Sequence, residues 1–487
     1  MSLQCCFLLE YSWINNLGTE YLITVLRNHG YSVNVLFDKL ASKAWQIPTR
    51  NLGKDPPLLQ YFDNHAVDIL FFSVNTDFYQ RALSLANAIK KKKPHINICF
   101  GGPHPTYAHK YVLKNSSIDF ICRGEGEMAI IELLEFIEHK RTALPAGIYR
   151  IKNNKIEGEK FGRVAEDINK IPFPDKSDFY ELRPSAKKIY SLISGRGCFY
   201  NCSYCNSPVL RDYYKRDGQL YFRRRSVENV LSELKHAKQL YQPQLILFKD
   251  DTFLYNKKWL SDFASRYGSE INIPFQCLAN PNFINEDVLR QLINAGLILV
   301  NCGIQSLNSK IRRTIFKRRE SNHIIIRFFH LMSRLRLYTQ VDHIINPWDK
   351  RDDLIKQAYL YNRLRPSWIN VFYLTWYPEV SILNLAKDTG IINKEDNDKI
   401  YNGLLSKNYF MGGNLTIQKK SLSADISMFL TFIPLLPQSL VYFILNRKLV
   451  SIFKYLPWPI VLFARFFNAL FRKADFIGRE HIKNIFR

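Results

Sequence analysis

The middle of the chain carries the segment Ser191-Leu192-Ile193-Ser194-Gly195-Arg196-Gly197-Cys198-Phe199-Tyr200-Asn201-Cys202-Ser203-Tyr204-Cys205. It opens with a short apolar run that predicts a strand, and a Gly-Arg-Gly turn follows. Three of the nine cysteines, Cys198, Cys202 and Cys205, then share one loop. Closely spaced thiolates are typical of iron–sulfur clusters. The spacing therefore predicts a [4Fe–4S] cluster with three protein ligands, whose open fourth iron can bind a small chelating molecule.

Three other interpretations of the cysteines stay open at this point. A zinc site needs a fourth cysteine or histidine at matching spacing, and the nearest downstream histidine, His236, lies in a helical pattern. A disulfide framework is typical of short secreted chains, whereas this chain has 487 residues and shows no secretory signal pattern at Met1-Ser2-Leu3-Gln4. Chance clustering of three cysteines is the third interpretation.

The residue before the last cysteine is aromatic, Tyr204. This Cys-x3-Cys-x-aromatic-Cys pattern resembles the radical S-adenosylmethionine (SAM) enzymes. The resemblance implies that the open iron chelates the amino and carboxylate groups of SAM. It also implies that one electron from the cluster cleaves SAM to methionine and a 5′-deoxyadenosyl radical. In that family the backbone beside Tyr204 contacts the adenine.

The composition is that of a globular protein with a large positive charge. It is 47% hydrophobic and 23% charged, and 68 Lys and Arg against 43 Asp and Glu give a net charge of +25. A basic excess fits nucleic acid, an anionic membrane or an anionic substrate, or simply a solvated surface. No nucleic-acid motif accompanies the densest basic runs, so we expect no nucleic-acid partner. An exposed cluster needs reducing surroundings, which predicts a cytoplasmic protein.

Residues 1–145 predict a doubly wound α/β domain. Short apolar strands at 5–9, 33–37, 69–74, 96–100 and 118–122 alternate with helical patterns, which favours a parallel sheet with helices on both faces. Ligands of such sheets bind at the carboxyl ends of the strands. Three of these ends carry small or glycine-rich loops, at 73–77, 101–102 and 124–126, where a large flat ligand can approach the backbone.

Two motifs in these loops, Gly101-Gly102-Pro103-His104-Pro105-Thr106 and Arg123-Gly124-Glu125-Gly126-Glu127, resemble the Rossmann-like cobalamin-binding domain that precedes many radical SAM cores. The resemblance covers about 130 residues. It implies that the corrinoid is lined by Ser73, Asn75, Thr76, Gly101, Gly102, Gly124 and Glu125.

The domain lacks the Asp-x-His-x-x-Gly signature whose histidine ligates cobalt in other cobalamin proteins. Many radical SAM members lack it too. His104 is an alternative ligand for the lower face of cobalt, or simply a loop histidine. A degenerate domain that binds no cobalamin is a further alternative.

Residues 146–188 predict a hairpin around Asn153-Asn154 and a proline-punctuated linker. Residues 189–390 then contain six βα units, counted from the strand before the cysteines. Repeating units of this length predict a barrel with chemistry on the loops after the strands. Radical SAM cores resemble a partial (β/α)6 barrel of this kind.

By the same resemblance, Lys249-Asp250-Asp251-Thr252 lies where the family receives the SAM amino group. Asp250 and Asp251 are the expected pair, with helix N-capping as the structural alternative. Asn280 is the expected ribose contact. Gln305 stands where the family usually has a glutamate, and it keeps hydrogen bonding without the charge. Asn346-Pro347-Trp348 stands in place of the family's glycine-rich turn, and we expect this departure to reshape the floor of the SAM pocket.

Residues 391–487 predict a mostly helical, hydrophobic C-terminal region. Its two apolar stretches, 426–445 and 449–471, approach membrane-spanning length, but each contains two prolines and carries basic residues in or beside it. These features disfavour a simple span. A plain helical domain and a region that contacts the membrane interface both stay open.

The combined resemblance implies a cobalamin-dependent radical SAM enzyme, most often a methyltransferase that acts on an unactivated carbon or phosphorus. It implies three cofactors: a [4Fe–4S] cluster, SAM and cobalamin. The expected partners are a small, hydrophobic substrate, an electron donor such as flavodoxin or ferredoxin, and the membrane surface. A radical SAM oxidative cyclase and a non-catalytic iron–sulfur redox or sensor protein are the alternatives.

Overall fold

The computed structural model describes residues 2–10, 16–38, 56–404, 420–456 and 460. This part of the chain forms two mainly parallel sheets in succession, each flanked by helices, and a helical C-terminal region.

The first sheet is built from seven strands. They are β1 (Gln4–Glu10), β2 (Ser32–Asp38), β3 (Ile69–Ser73), β4 (Asn97–Gly101), β5 (Phe120–Cys122), β6 (Ile148–Lys152) and β7 (Lys155–Glu157). The helices between them are α1 (Leu17–Asn28), α2 (Pro56–Asn64), α3 (Tyr79–Lys92), α4 (Pro103–Val112) and α5 (Ala129–Ile137). The strand order is β2-β1-β3-β4-β5-β6-β7, and β1 to β5 run parallel.

Helices cover both faces of this sheet, as the apolar runs predict. Along β1, Cys5 and Phe7 pack with residues of α1 and α5, while Cys6 and Leu8 pack with residues of α2, α3 and α4. All four side chains are buried. Successive residues of a strand point to opposite faces, so a continuous apolar run fits only a strand covered on both sides.

The predicted hairpin at 148–156 is present, and it belongs to the first sheet. β6 pairs antiparallel with β5 and β7 with β6, so the hairpin forms one edge of that sheet. The connector then contains α6 (Ser177–Leu182). A fully buried ion pair between Lys176 and Glu20 of α1 ties this connector to the first domain.

The second sheet is a partial barrel. Its elements are β8 (Ile189–Leu192), β9 (Gly195–Arg196), α7 (Ser207–Arg216), β10 (Arg223–Arg224), α8 (Val227–Tyr241), β11 (Leu245–Phe248), α9 (Lys257–Glu270), β12 (Phe275–Ala279), α10 (Glu286–Ala295), β13 (Leu297–Gln305), α11 (Asn322–Arg334), β14 (Tyr338–Ile345), α12 (Arg351–Leu364) and β15 (Trp368–Tyr373). Six parallel strands lie in the order β15-β14-β13-β12-β11-β8. This confirms the six βα units predicted from the cysteine strand onward.

Local signals set several of these boundaries. Ser226 caps α8, since its hydroxyl accepts a hydrogen bond from the Asn229 amide at 3.1 Å. Gly296 ends α10 with a φ of 120°, a region that glycine adopts readily. The two-residue strands β9 and β10 pair antiparallel outside the barrel, and they frame the cysteine loop.

After the barrel the chain returns to the first domain. Helices α13 (Ile382–Asp388) and α14 (Lys394–Tyr401) lead to a turn at 401–403. There the Tyr401 ring stacks on Tyr111 at 4.7 Å between centroids, and Gln80 Nε2 donates to the Asn402 carbonyl at 2.5 Å. Gly403 fits so closely that an added Cβ would lie 2.9 Å from the Thr76 carbonyl oxygen. The first domain is therefore contacted by the chain on both sides of the barrel: by the connector before β8 and by this turn after α14.

The C-terminal helices α15 (Lys420–Phe432) and α16 (Gln438–Asn446) pack on the barrel. Ile426 and Phe429 of α15, with Val441 of α16, join the core that lines the barrel helices. Pro434 and Pro437 separate the two helices, as predicted from the sequence. No described helix is both long and apolar enough to cross a bilayer. The second apolar stretch, 449–471, lies mostly outside the described residues.

Buried neutral histidines should make the fold sensitive to acid. Burial lowers the pKa of His343 to about 3, and its Nδ1 lies 3.1 Å from the Tyr361 hydroxyl. The unfolded imidazole takes up a proton below about pH 6.5. His343 therefore contributes stability that is complete above about pH 6.5 and is lost as the pH falls toward 3.

We expect His343→Gln to flatten this dependence by about one proton, or ~1.4 kcal/mol per pH unit below about pH 6.5. Denaturant unfolding at several pH values measures the slope. His323→Gln, on the exposed face of α11, is the matched control. An unchanged slope in His343→Gln would contradict the assignment.

Candidate functional site

The turn before the cysteines is fixed by one buried carboxylate and one glycine. Asp250, at the end of β11, accepts hydrogen bonds from the Ser194 amide at 2.9 Å and the Ser194 hydroxyl at 2.6 Å. Gly197 has a φ of 98°, and an added Cβ would lie 2.8 Å from the Tyr221 carbonyl oxygen. Glycine is needed here for both reasons, and the chain leaves the turn directly into Cys198.

The three predicted cluster ligands lie together on the following loop. Cys202 is buried, while Cys198 and Cys205 are partly accessible. The Ser207 amide donates to Cys205 Sγ at 3.4 Å. Burial, together with smaller effects of nearby Asp251, Cys202 and Cys205, raises the pKa of Cys198 to about 12. Thiols so placed become thiolates only when a positive charge compensates them, and metal ions supply that charge.

The chemistry of the three thiols suits an iron–sulfur cluster. A single zinc needs converging ligands, whereas a cubane cluster spreads its thiolates over separate irons. The donor set is therefore compatible with a cluster held by three cysteines, with one iron left for another ligand.

A buried arginine lies behind the cysteines. Arg318 Nη1 donates to the Tyr204 hydroxyl at 3.0 Å and approaches Cys202 Sγ at 3.9 Å. Its Nη2 donates to the Gly303 carbonyl at 2.6 Å and to Glu320 at 2.6 Å. Sequence reasoning missed this ion pair. Its only signal was a single acid in the basic run Lys317-Arg318-Arg319-Glu320.

The predicted ribose contact, Asn280, belongs to the same network. Its Nδ2 donates to Glu320 at 2.6 Å, and its Oδ1 accepts from the Tyr200 hydroxyl at 2.9 Å. The Asn282 amide donates to the same oxygen at 2.9 Å. Asn280 thus links the end of β12 to the cysteine loop through Tyr200.

The two adjacent aspartates have different surroundings. Asp250 is buried and bound to Ser194, and burial raises its pKa. Asp251 has an accessible side chain, although burial raises its pKa as well. It accepts from the Ser207 hydroxyl at 3.3 Å and lies close enough to Cys198 and Cys205 to raise their pKa. Asp251 is therefore the carboxylate placed to receive a ligand beside the cluster loop.

Gln305 has an unusual backbone conformation. It lies at a register shift between β13 and β14 and has a φ of 64°. Its amide lies over Gly303, and its buried Oε1 has no hydrogen-bond donor among the residues that the structure describes. A buried acceptor without a partner is costly, so this oxygen fits a hydroxyl or ammonium group supplied by a ligand.

The strand-end loops of the first domain come together as predicted. The Val74 amide donates to the Gly101 carbonyl at 2.8 Å, so the loop carrying Ser73, Asn75 and Thr76 lies against Gly101 and Gly102. Asn75 is exposed and donates to Glu10 at 3.3 Å. Gly124 joins this group because its amide donates to Thr106 Oγ1 at 3.2 Å.

Two further residues of these loops, His104 and Glu125, are bound by other side chains of the protein. His104 is fully buried, with Nδ1 3.3 Å from Thr76 Oγ1 and its ring against Tyr79. Burial lowers the pKa of His104 to about 3. Glu125 forms ion pairs with Arg196 and Arg223 of the second domain.

Gly102 lies too close to the backbone of the neighbouring loop to accept a side chain without strain. Its φ is 95°, and an added Cβ would lie 2.9 Å from the Val74 amide nitrogen. We expect Gly102→Ala to cost roughly 1–3 kcal/mol of backbone strain and to weaken corrinoid binding. Gly18→Ala in α1, where the added atom meets no described residue within 4 Å, is the matched control. Equal corrinoid affinity in both variants would contradict the prediction.

Two family models match the chain. The B12 binding domain matches residues 11–134, and the radical SAM superfamily matches residues 192–348. The chain is 28% identical over 310 residues to an uncharacterised methyltransferase of Pyrococcus horikoshii, covering 62% of this chain and 63% of the relative. It is 25% identical over 325 residues to the anaerobic magnesium-protoporphyrin IX monomethyl ester cyclase of Synechocystis sp., covering 62% and 61%.

The fold resembles that of a solved enzyme. The radical SAM methyltransferase TsrM from Kitasatospora setae superposes with a TM-score of 0.64 at 17% identity, over 80% of this chain and 77% of that one. The likeness concerns the fold. The chain spans about three-fifths of the length of the curated relatives it matches.

Proposed function

We propose that this chain, a member of the radical SAM superfamily that carries a B12-binding domain, is a cobalamin-dependent radical SAM methyltransferase. It would transfer a methyl group to an unactivated carbon or phosphorus of a small substrate. The supporting observation is that the two candidate cofactor edges meet. Glu125, in a corrinoid-edge loop, lies 2.8 Å from Arg196, two residues before the first cluster cysteine.

When bound, the cluster would supply the electron that cleaves SAM, and the corrinoid would supply the methyl group. The chain's own residues hold and orient these groups. Cys198, Cys202 and Cys205 would bind three irons through thiolates, while Asp251 and the free Oε1 of Gln305 would accept hydrogen bonds from SAM. Gly101 and Gly102 would let the flat corrin face approach the backbone.

The test is anaerobic purification with cobalamin, iron and sulfide supplied. We expect a corrinoid-to-protein ratio near one, together with cleavage of SAM to 5′-deoxyadenosine. A ratio near zero with SAM still cleaved would keep the radical SAM core and overturn the methyltransferase. Neither corrinoid nor cleavage would favour a non-catalytic iron–sulfur protein.

A second candidate is an oxidative cyclase, which the similarity to the magnesium-protoporphyrin ester cyclase supports. The two candidates differ in their consumption of SAM. A methyltransferase forms S-adenosylhomocysteine each time it regenerates its methyl donor. A ring closure transfers no methyl group, so it forms 5′-deoxyadenosine without S-adenosylhomocysteine. Measuring both adenosyl products in one incubation separates them.

We also propose that the enzyme works in the cytoplasm at an anionic membrane surface. Five large apolar side chains of residues 440–455 are exposed, including Phe443 at 53%, Ile452 at 56% and Tyr455 at 76%. From Ile426 to Ala474 the sequence has no acidic residue and six basic ones. Apolar side chains beside basic ones are typical of interfacial binding. A hydrophobic substrate would fit this location.

Flotation with liposomes tests the membrane proposal. We expect recovery with anionic vesicles, little with neutral ones, and loss at high salt. Phe443→Ser with Ile452→Ser should reduce recovery several-fold. Leu240→Ser, at a 57% exposed site on α8, is the control. Equal recovery with both vesicle types would overturn the proposal.

The remaining partner in the proposal is an electron donor of the flavodoxin or ferredoxin kind. The net charge of +25 suits an acidic protein. The rate of SAM cleavage should depend on the concentration of such a donor, and added salt should weaken this dependence.

A further inference from the structure

The loop after β5 is held by residues on both sides of the cluster cysteines. Ahead of them, Arg196 Nη1 donates to Glu125 at 2.8 Å, and Arg196 Nη2 donates to Glu127 at 2.5 Å. Arg223, paired with Arg196 between β9 and β10, donates to both oxygens of Glu125. The two arginines are therefore partners in one strand pair, and both bind carboxylates of the loop after β5.

Behind the cysteines, α7 contacts the same loop. The Glu125 amide donates to the Tyr214 hydroxyl at 2.7 Å. Gly124 has a φ of 88°, and an added Cβ would lie 2.5 Å from that hydroxyl oxygen. Because α7 begins two residues after Cys205, the strand before the cluster loop and the helix after it both hold the Gly124–Glu127 segment.

The side chains that make these contacts are largely shielded from solvent. The exposed fraction is 16% for the Arg196 side chain, 12% for Glu127 and 3% for Arg223. Buried ion pairs are screened little by salt, and the pair of Arg223 with both oxygens of Glu125 is bidentate, which fixes its geometry.

We propose that Arg196, Arg223, Glu125, Glu127 and Tyr214 form a positioning clamp that fixes the corrinoid edge of the first domain relative to the cluster loop. The proposal rests on the proposed function for its cofactors. Methyl transfer would need a substrate within reach of both cofactors at once, and a small misplacement of reacting groups costs rate steeply. The clamp residues act through the loops that they hold and are not catalytic.

The variant Arg196→Gln removes two of the ion pairs, and Arg196→Lys restores charge without the planar fork. Arg27→Gln is the matched control. Arg27 also links the first domain to the connector, through Asp178 at 2.8 Å, but it lies at the opposite edge of the sheet, where it donates to the Val33 carbonyl.

The first measurement is the distance distribution between the cob(II)alamin spin and the reduced cluster spin, by pulsed electron paramagnetic resonance. We expect Arg196→Gln to retain wild-type iron and corrinoid contents but to show a broadened distribution, with Arg196→Lys intermediate and Arg27→Gln unchanged. More 5′-deoxyadenosine should form per methylated product. A distribution identical to wild type in Arg196→Gln would overturn the clamp.

The second measurement needs no cofactor. Hydrogen exchange of the Glu125 and Glu127 amides should accelerate by at least about tenfold in Arg196→Gln and in Tyr214→Phe, with α5 unchanged. Unchanged exchange would overturn the clamp even if a variant fails to load. If the wild-type protein binds no corrinoid, the proposed function fails, and the exchange data still show whether the loop is held.

Discussion

Replacing Cys202 with alanine will abolish SAM cleavage and leave corrinoid binding in place. Each of the three thiolates would hold one iron, and a cluster with only two protein ligands is not retained. Cys202 is the buried member of the three, close to the Arg318 guanidinium. We expect a loss of at least about a thousandfold in 5′-deoxyadenosine formation, or ~4 kcal/mol.

Iron and sulfide analysis gives the direct measurement, because the iron content should fall from about four per chain to near zero. Cys277→Ala is the matched control. Cys277 is buried on β12 and packs in the core that contacts the barrel helices, so its loss creates a small cavity without touching the cluster loop. A Cys202→Ala protein with full iron content and activity would contradict the ligand assignment.

Asp251→Asn should impair SAM binding, whereas Asp250→Asn should impair cluster retention. Asp251 is accessible beside Cys198 and Cys205, where a carboxylate can accept from the SAM ammonium. Its neutral replacement should reduce SAM affinity about tenfold to a hundredfold, or ~1.4 to 2.7 kcal/mol. The iron content should stay at the wild-type level.

Asp250 accepts instead from the amide and hydroxyl of Ser194. An asparagine carries one acceptor oxygen in place of two, so the turn before Cys198 loses a buried hydrogen bond. We expect a lower iron content and a raised sensitivity of the cluster to air, with unchanged SAM affinity in the loaded fraction. Equilibrium dialysis with labelled SAM separates the two effects. The opposite pattern would reverse the two roles.

The parts of the fold that follow from apolar runs were predictable. The strands are buried on both faces and bounded by glycine, proline or polar residues, so their positions follow from the sequence. Helix α7 was not predicted. Tyr214 is its single buried residue, so the sequence shows no repeat of apolar residues at helical spacing there. The pairing of β6 with β5 was missed for a different reason: a hairpin pattern does not specify the neighbour of its outer strand. The domain boundaries at 145, 188 and 390 stay predictions.

For the site, motif spacing predicted which loops matter but not what each side chain contacts. Glu125 and Arg196 are 71 residues apart, and no periodicity connects them. The left-handed conformation of Gln305 lies inside a strand pattern, where sequence gives no signal for it. The corrinoid and SAM contacts assigned by resemblance therefore stay predictions. The cluster ligands stay predictions too, although the structure places Cys198, Cys202 and Cys205 on one loop.

The return of the chain to the first domain limits how the protein can be re-engineered. The turn at 401–403 follows the barrel in the chain, yet it packs on the first domain. Its contacts there are with Thr76, Gln80 and Tyr111. The two domains are therefore not interchangeable cassettes. A chimaera that imports a foreign first domain would also have to import the matching turn, which lies 322 residues downstream of Gln80. Natural recombination between such enzymes faces the same constraint.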